Sequence, residues 1–357
     1  MIKMKDIGNF KTVPQIVADI IGGDITSLEE YFSANNINNN IQLSKHISLT
    51  PLDVALIMEN EISVKWLTEH GADLNNKEYP AFLAAVRYCN ADIARYVAEK
   101  GADINALNNV GTDAFKQAIF GKKYEHLQLI HDLGHTVQKY GGEAFRGVIS
   151  GKNYKVLDFF ISNGVDINYN KADQIYPYKP TPLCVAARYA DLDMVKYLVE
   201  HGADVTIPEK DGMHPYSIAV EKGDIEMAEY LKALEPEEFH SLHNKLDSLK
   251  KYKLPKALMN FLQGDVLRIE MDSDIAFIEF FPLIYTVEMK HGRQKLLRIS
   301  KVTDNYSHIL LVYNPKSKCI AYYDMEHQEF ADMAKFGEFI KRPAHYMEKV
   351  LDGEYLT

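Results

Sequence analysis

Asp324-Met325-Glu326-His327 is the densest run of side chains able to do chemistry in this 357-residue chain. Two carboxylates and an imidazole are metal-capable, and in a strand Asp324 and Glu326 would share one face. A closed site needs a further ligand, and no other feature nominates one, so a polar loop after a strand is the simpler reading. His131 and His135 lie four residues apart, but Gly134 between them ends the helix that would present both. His240 and His243 stand one helical turn apart, a pair that by itself describes a solvated helix face. Cys89, Cys184 and Cys319 are odd in number, far apart and without a CxxC pair. They support neither a disulfide framework nor a zinc site. P-loop, GxGxxG, GxSxG and HExxH patterns are missing from the sequence. The expectation is a binding protein without catalytic centre, metal or cofactor.

Composition narrows what it could bind. Hydrophobic residues make up 46% of the chain, enough for a real core, and 25% are charged. No apolar run approaches the roughly 20 residues of a membrane helix, and Met1-Ile2-Lys3-Met4-Lys5-Asp6 turns polar too soon for a signal peptide. With the unpaired cysteines, this reads as a cytoplasmic protein. The net charge of −10 is uneven: residues 1–235 hold 23 basic and 32 acidic residues, and residues 236–357 hold 17 and 18. The acidic part would repel nucleic acid and steer a basic protein toward itself.

The elements that would position such a surface show as a repeat. Thr50-Pro51-Leu52 is followed, twenty-one residues after Thr50, by Gly71-Ala72-Asp73, and Thr181-Pro182-Leu183 by Gly202-Ala203-Asp204 at the same interval. Pro80 to Gly101, Asp113 to Gly134 and Glu143 to Gly164 keep that spacing. Each unit opens on a turn, then a small residue falls five positions on (Ala55, Ala85, Ala118, Ala186, Ala219; Val148 in one unit). A second amphipathic stretch follows, such as Met194-Val195-Lys196-Tyr197-Leu198, and glycine ends it in a left-handed cap. Asp73-Leu74-Asn75, Asp103-Ile104-Asn105 and Asp166-Ile167-Asn168 are turn formers leading into an extended tip.

The Thr-Pro-Leu-x-x-Ala and Gly-Ala-Asp-hydrophobic-Asn motifs resemble the ankyrin repeat. About seven helix-turn-helix units are expected over residues 1–235. The first is degenerate, at Val13-Pro14. The last starts at His214-Pro215-Tyr216 and has Glu235 where the closing glycine would stand. Asp113-Ala114-Phe115 and Glu143-Ala144-Phe145 stand in for Thr-Pro-Leu in the fourth and fifth units. Cys184 fills a slot where many ankyrin repeats carry histidine, and reads as a buried small residue.

The spacers vary while the units do not. Gly164 to Thr181 spans seventeen residues, the longest, and carries Tyr169, Asp173, Tyr176 and Tyr178. The resemblance implies that such fingers meet partners, and aromatic residues suit that contact; otherwise these tyrosines fold back onto a neighbouring finger or the next domain. Arg87-Tyr88 and Arg188-Tyr189 hold equivalent places late in the first helix of two units. They suit an interface, or alternatively pack internally with each arginine on a nearby acid.

Beyond Leu234 the period stops. Residues 236–252 read as a helical connector and 253–357 as a small α+β domain. Leu254-Pro255 opens a helix. Strands are expected at Val266–Met271, Ala276–Val287, Leu296–Ile299, Ile309–Tyr313 and Cys319–Tyr323, with a hairpin turn at Asn314-Pro315-Lys316-Ser317. Closing helices are expected over Phe330–Phe339 and Ala344–Leu351. The opening helix, the strand-turn-strand Ile309–Tyr323, the Tyr322-Tyr323-Asp324-Met325-Glu326-His327 segment and the closing Met333–Ile340 stretch are similar to the SUKH superfamily of bacterial immunity proteins. That resemblance implies binding and neutralising a cognate toxin, with Tyr323, Asp324, Glu326 and His327 as candidate contacts. The whole chain then reads as a multidomain, non-enzymatic binder: an all-α ankyrin solenoid followed by an antiparallel α+β domain. Its partner would be a protein, such as a basic toxin, with no nucleic acid and no membrane. The other reading is an ankyrin scaffold or a secreted effector.

Overall fold

The computed structural model describes residues 1–355 and divides them into two compact units, 1–148 with 153–166, and 149–152 with 167–355. In the first unit antiparallel helices follow one another in pairs: Gln15–Gly22 with Ile25–Ala34, Pro51–Ile57 with Glu61–Glu69, Ala81–Tyr88 with Ala91–Glu99, and Ala114–Phe120 with His126–Asp132. Thr50 shows why the helices start where they do. Its hydroxyl accepts from the Asp53 amide at 3.1 Å while the Asp53 carboxylate accepts from the Thr50 amide at 3.0 Å, a reciprocal cap with Pro51 preset for the first turn. Asn60 and Asn90 cap the second helices of their pairs. Ala55, Ala85 and Ala118 are fully buried, so neighbouring helices approach closely. Short hairpins that have no counterpart in the repeat pattern, Ile2–Met4 with Gly8–Phe10 and Ile41–Ser44 with Ile47–Leu49, complete this part.

Between the pairs, the asparagine that ends one tip reaches into the next unit. Asn38 donates to the Gly71 carbonyl (3.2 Å) and accepts from the Asp73 amide (2.8 Å). Asn75 does the same to Gly101 (3.1 Å) and Asp103 (2.7 Å). The backbone that turns through Gly71 and Gly101, at φ 92° and 101°, thus gets its partners from the neighbouring unit. The sequence identified Asn75 only as a turn former and did not single out Asn38. The fifth unit departs from expectation: its first helix runs from Val137 to Val148, so Glu143-Ala144-Phe145 lies inside a helix and not at a turn. Gly141 explains the packing there, since a Cβ would lie 3.2 Å from the Phe160 ring. Where the second, third and sixth units have alanine after the glycine, the fourth has His135, which is buried, stacked on Tyr140 and 3.0 Å from Asn105 Oδ1.

The second unit begins with two further helix pairs, Pro182–Tyr189 with Leu192–Glu200 and Pro215–Lys222 with Ile225–Leu234. Here Asn168 accepts from the Asp204 amide at 2.8 Å, repeating the same bridge. A helix at Leu242–Leu249 and another at Lys256–Leu262, entered through Pro255, lead to two antiparallel sheets. One has the strand order Arg268–Glu270, Phe277–Phe280, Ser300–Thr303; the other runs Glu329–Ala334, Cys319–Asp324, Ile309–Asn314, Gln294–Arg298, Val287–His291. Every residue of the central strand Ile309–Asn314 is buried. Ile309, Leu311 and Tyr313 face the main core with Leu258, Leu262 and Phe339, while Leu310 and Val312 face Met289, Leu296 and Tyr323.

Two expectations fail in the sheets. Residues 329–334 form a strand, paired Tyr322 to Ala331 and Tyr323 to Phe330, leaving only Phe336–Phe339 of the predicted helix. The backbone donors and acceptors offered by Cys319–Asp324 outweigh the helix preference of Ala331, Met333 and Ala334. The predicted Ala276–Val287 strand ends at Phe280, because Pro282 supplies no N–H and introduces a short 3₁₀ turn before Val287–His291.

Replacing Asn75 with alanine removes both of its bonds to the next unit and is expected to cost about 1 kcal/mol of stability. Asn40→Ala, where the described residues show no side-chain bond, is the control. Equal urea midpoints for the two variants would show that the bridge contributes nothing.

Candidate functional site

The long finger is held by its own side chains. Asp173 Oδ1 accepts from the Ile175 amide (2.8 Å) and the Tyr176 amide (2.6 Å), closing a turn. The Tyr176 and Tyr178 rings then meet edge to face at 6.0 Å. Tyr178 is anchored twice: its carbonyl accepts from the Lys210 amide at 2.8 Å, and its hydroxyl lies 3.4 Å from that of Tyr189. Burial, aided by Tyr189, pushes the Tyr178 phenol well above its ordinary value. Ile175 at the tip remains 69% exposed.

The next finger, carrying Glu209, Lys210 and Asp211, lies against the edge strand Val287–His291. Gly212 makes that possible, with φ 89° and a position where a Cβ would stand 2.3 Å from the Glu288 carbonyl oxygen. The two fingers and the sheet enclose a cleft of about 380 Å³. Ile175, Pro177 and Tyr178 line it from the long finger, Lys210 and Asp211 from the next finger, and Met289, His308, Tyr323, Met325 and Glu326 from the sheet and its turns. Two candidate sets far apart in sequence, the finger tyrosines and the 323–327 segment, therefore contribute to one site through Tyr178, Tyr323 and Glu326.

The remaining candidates have other positions. Asp324 ends its strand; its Oδ1 accepts from the Glu326 and His327 amides at 2.8 and 3.1 Å, and Oδ2 lies 2.9 Å from His327 Nδ1. Burial raises its pKa, but the His327 bonds outweigh that and hold it below the usual carboxylate range, while Asp324 raises His327. Both groups are thus engaged in closing a turn, and Glu326 is exposed on that turn, not in the strand with Asp324. Among the described residues no three His, Cys, Asp or Glu side chains are grouped to hold a metal. Asp173 and Tyr176 shape the finger, and Tyr169 lies outside the cleft lining. Arg87 binds Asp6 at 2.6 Å and Gln117 at 2.9 Å, with its guanidinium 5.3 Å from the Tyr88 ring.

Arg188 is outside the cleft lining but holds the finger that contributes to it. It pairs with Glu209 at 2.8 Å and Glu221 at 3.2 Å; Glu221 also binds Arg298 of the sheet, which lies 3.9 Å from Asp211. Burial pushes Glu209 up to about 8 against the pull of Arg188, and Asp211 and Glu221 add like charge. Sequence reasoning identified Arg188 but missed Glu209, Glu221 and Arg298, since acidic residues in a finger and an arginine in a strand carry no periodic mark.

The other histidines and cysteines are structural. Glu235, fully buried, lies 2.5 Å from His214 Nδ1 and 3.0 Å from His240 Nε2, so it joins the start of the last helix pair to the connector. His243 faces solvent near Asp247. His131 accepts from the Val137 amide at 3.1 Å. Cys89 and Cys184 are buried thiols pushed up to about 12 by desolvation, so neither is a ready nucleophile.

Comparison with known proteins places this geometry in context. The family described as ankyrin repeats (3 copies) matches residues 16–108 and 145–239, over half of the chain. An ankyrin repeat protein of fowlpox virus (strain NVSL) is 38% identical over 88 residues, 25% of this chain and 14% of that protein. Alpha-latrocrustotoxin-Lt1a of Latrodectus tredecimguttatus is 28% identical over 147 residues, 40% of this chain and 10% of the toxin. An ankyrin repeat protein of Rickettsia bellii (strain RML369-C) is 29% identical over 148 residues, 38% of this chain and 85% of that protein. The chain thus spans only a small part of the first two relatives.

The raised Glu209 value makes a pH prediction. A carboxyl raised on folding contributes stability that is complete below its ordinary value of 4.5 and is lost as pH rises through about 8. The stability difference between the wild type and Glu209→Gln should therefore shift against the wild type between about pH 5 and pH 8.5. Urea denaturation across that range tests it; a constant difference would mean that Glu209 is ionised throughout.

Proposed function

This chain belongs to the ankyrin-repeat family, and we propose that its repeats and its C-terminal domain together grip one protein partner at the cleft between the long finger and the sheet. The repeats mark a protein–protein interaction module. The observation behind the finer reading is that Ile175 and Tyr178 of the finger and Tyr323, Met325 and Glu326 of the C-terminal domain line the same cleft. A lining of apolar side chains with a few charged groups among them suits an extended segment of a partner. No helix among the described residues is long and apolar enough to cross a membrane.

In this reading residues 1–235 are an array of seven repeats, 236–252 a connector and 253–357 a SUKH-like domain of a cytoplasmic protein. The role is that of an immunity protein, which works by covering a toxin's active site and not by catalysis. The acidic array would draw a basic toxin toward the cleft. The alternative, a scaffold or secreted effector, draws on the relatives, whose common feature with this chain is the repeat array; on that reading the array binds without the cleft.

Co-expression with the product of the adjacent gene separates the two. If the immunity reading holds, the chain protects cells from that product. Ile175→Asp with Glu326→Lys, both exposed, should weaken the complex at least about tenfold, roughly 1.4 kcal/mol, with the melting temperature unchanged. Binding untouched by the pair but lost on changing repeat surface residues would favour the scaffold. Association with a basic partner should also slow as salt rises from about 0.1 to about 0.5 M, where screening shortens to about 4 Å. A salt-independent rate would remove electrostatic steering.

A further inference from the structure

Three turns converge at one end of the five-stranded sheet, and each carries cations. They are the turn through Lys250–Tyr252, the Gly292-Arg293 hairpin and the hairpin between the strands ending at Asn314 and starting at Cys319. Together they enclose an open pocket of about 690 Å³ walled by Lys251, Lys253, Arg293, Lys295, Lys316 and His291. No carboxylate lines it. Lys251 is neutralised by Glu288, but Lys253, Arg293, Lys295 and Lys316 make no ion pair among the described residues. Residues 236–357 carry nearly balanced charge in a chain of net −10, so the cluster is a local segregation and not a by-product of a basic composition.

The backbone beneath these side chains is fixed. Lys253 is held in the left-handed region (φ 50°), with its amide donating to the Lys250 carbonyl (3.2 Å) and its carbonyl accepting from the Tyr313 hydroxyl (3.4 Å). The Lys316 amide donates to Asn314 Oδ1 (3.0 Å) and the Lys318 amide to the Asn314 carbonyl (2.8 Å). Like charges gathered on rigid turns repel each other, and a bound anion would relieve that repulsion.

We propose that this pocket binds a compact ligand carrying several phosphate groups. Four unpaired cations exceed what one phosphate neutralises, since each carries at most about two charges. Lysine ammoniums and an arginine fork are the donors that phosphate oxygens take. The pocket offers no exposed ring on which a base could stack: Tyr252 is 2% exposed with its hydroxyl 3.3 Å from Glu288, and His291 is stacked on Phe330. That favours phosphate recognition over binding of single-stranded nucleic acid. The proposal is independent of the protein-binding cleft, whose lining shares none of these residues.

Isothermal titration of the full chain with sodium tripolyphosphate, and with orthophosphate, tests it. Tripolyphosphate should bind one to one, at least about tenfold more tightly than orthophosphate, and more weakly as salt rises. Lys253→Gln, Arg293→Gln, Lys295→Gln and Lys316→Gln combined should abolish binding without lowering the melting temperature, because all four residues are exposed and their mutual repulsion is removed. The conservative Arg293→Lys should retain most of the affinity. Binding of vesicles containing a phosphoinositide, removed by the same four changes and competed by tripolyphosphate, would identify a lipid headgroup as the source; tripolyphosphate binding without vesicle binding would identify a free one. No saturable tripolyphosphate binding, or binding unchanged in the fourfold variant, would overturn the proposal. So would binding of an acidic protein or a DNA duplex where tripolyphosphate fails.

Discussion

Two guanidiniums and three carboxylates, with Glu209 and Arg298 buried and the others half-buried, sit where the last repeats meet the sheet. Arg188 and Arg298 share Glu221, while Glu209 and Asp211 complete the set. Charges removed from water in this way are tolerated only when each finds an opposite partner, and leaving one alone costs on the order of 3–5 kcal/mol. The arrangement therefore constrains four elements at once: the first helices of two successive repeats, the finger between them and a strand of the sheet. The cleft is the space those elements leave. Glu209 is the most buried of the three carboxylates, and its burial, with Asp211 and Glu221 adding like charge, is why it holds its proton to an unusually high pH.

Much of the array was legible because its constraint is local. A Pro-initiated turn, a small residue five places on and a glycine at the far end are each required by backbone geometry within one unit, so they recur at a fixed interval. The asparagine bridges were not legible as bridges, because a residue that satisfies the next unit's amides looks, within its own unit, like any turn former. The fifth unit misled for a similar reason. Its glycine kept the spacing, while its first helix started seven residues early, a shift visible only once Gly141 is seen against Phe160.

In the C-terminal domain the central strand was legible from its unbroken apolar run. The strand at Glu329–Ala334 was hidden because its residues favour a helix and only the ladder offered by its neighbour makes them extended. The candidate site shows the same division. Tyr178, Tyr323 and Glu326 were each identified from the chain. Their meeting in one cleft was not, since it depends on Gly212 and the Arg298 pairing, two features without a repeating mark. The basic pocket escaped because near-zero net charge in a segment conceals cations and anions that have been sorted to different ends.

A stack of identical units is in effect a one-dimensional crystal, and such a crystal has no intrinsic length. Each end presents the same unsatisfied surface that another unit would cover, so an open end invites either further growth or joining to another molecule. The carboxylate of Glu235, held between His214 and His240, stands where the other units place their closing glycine. It ties the start of that helix pair to the segment after it, so the place where the repeat pattern stops is also a point of attachment.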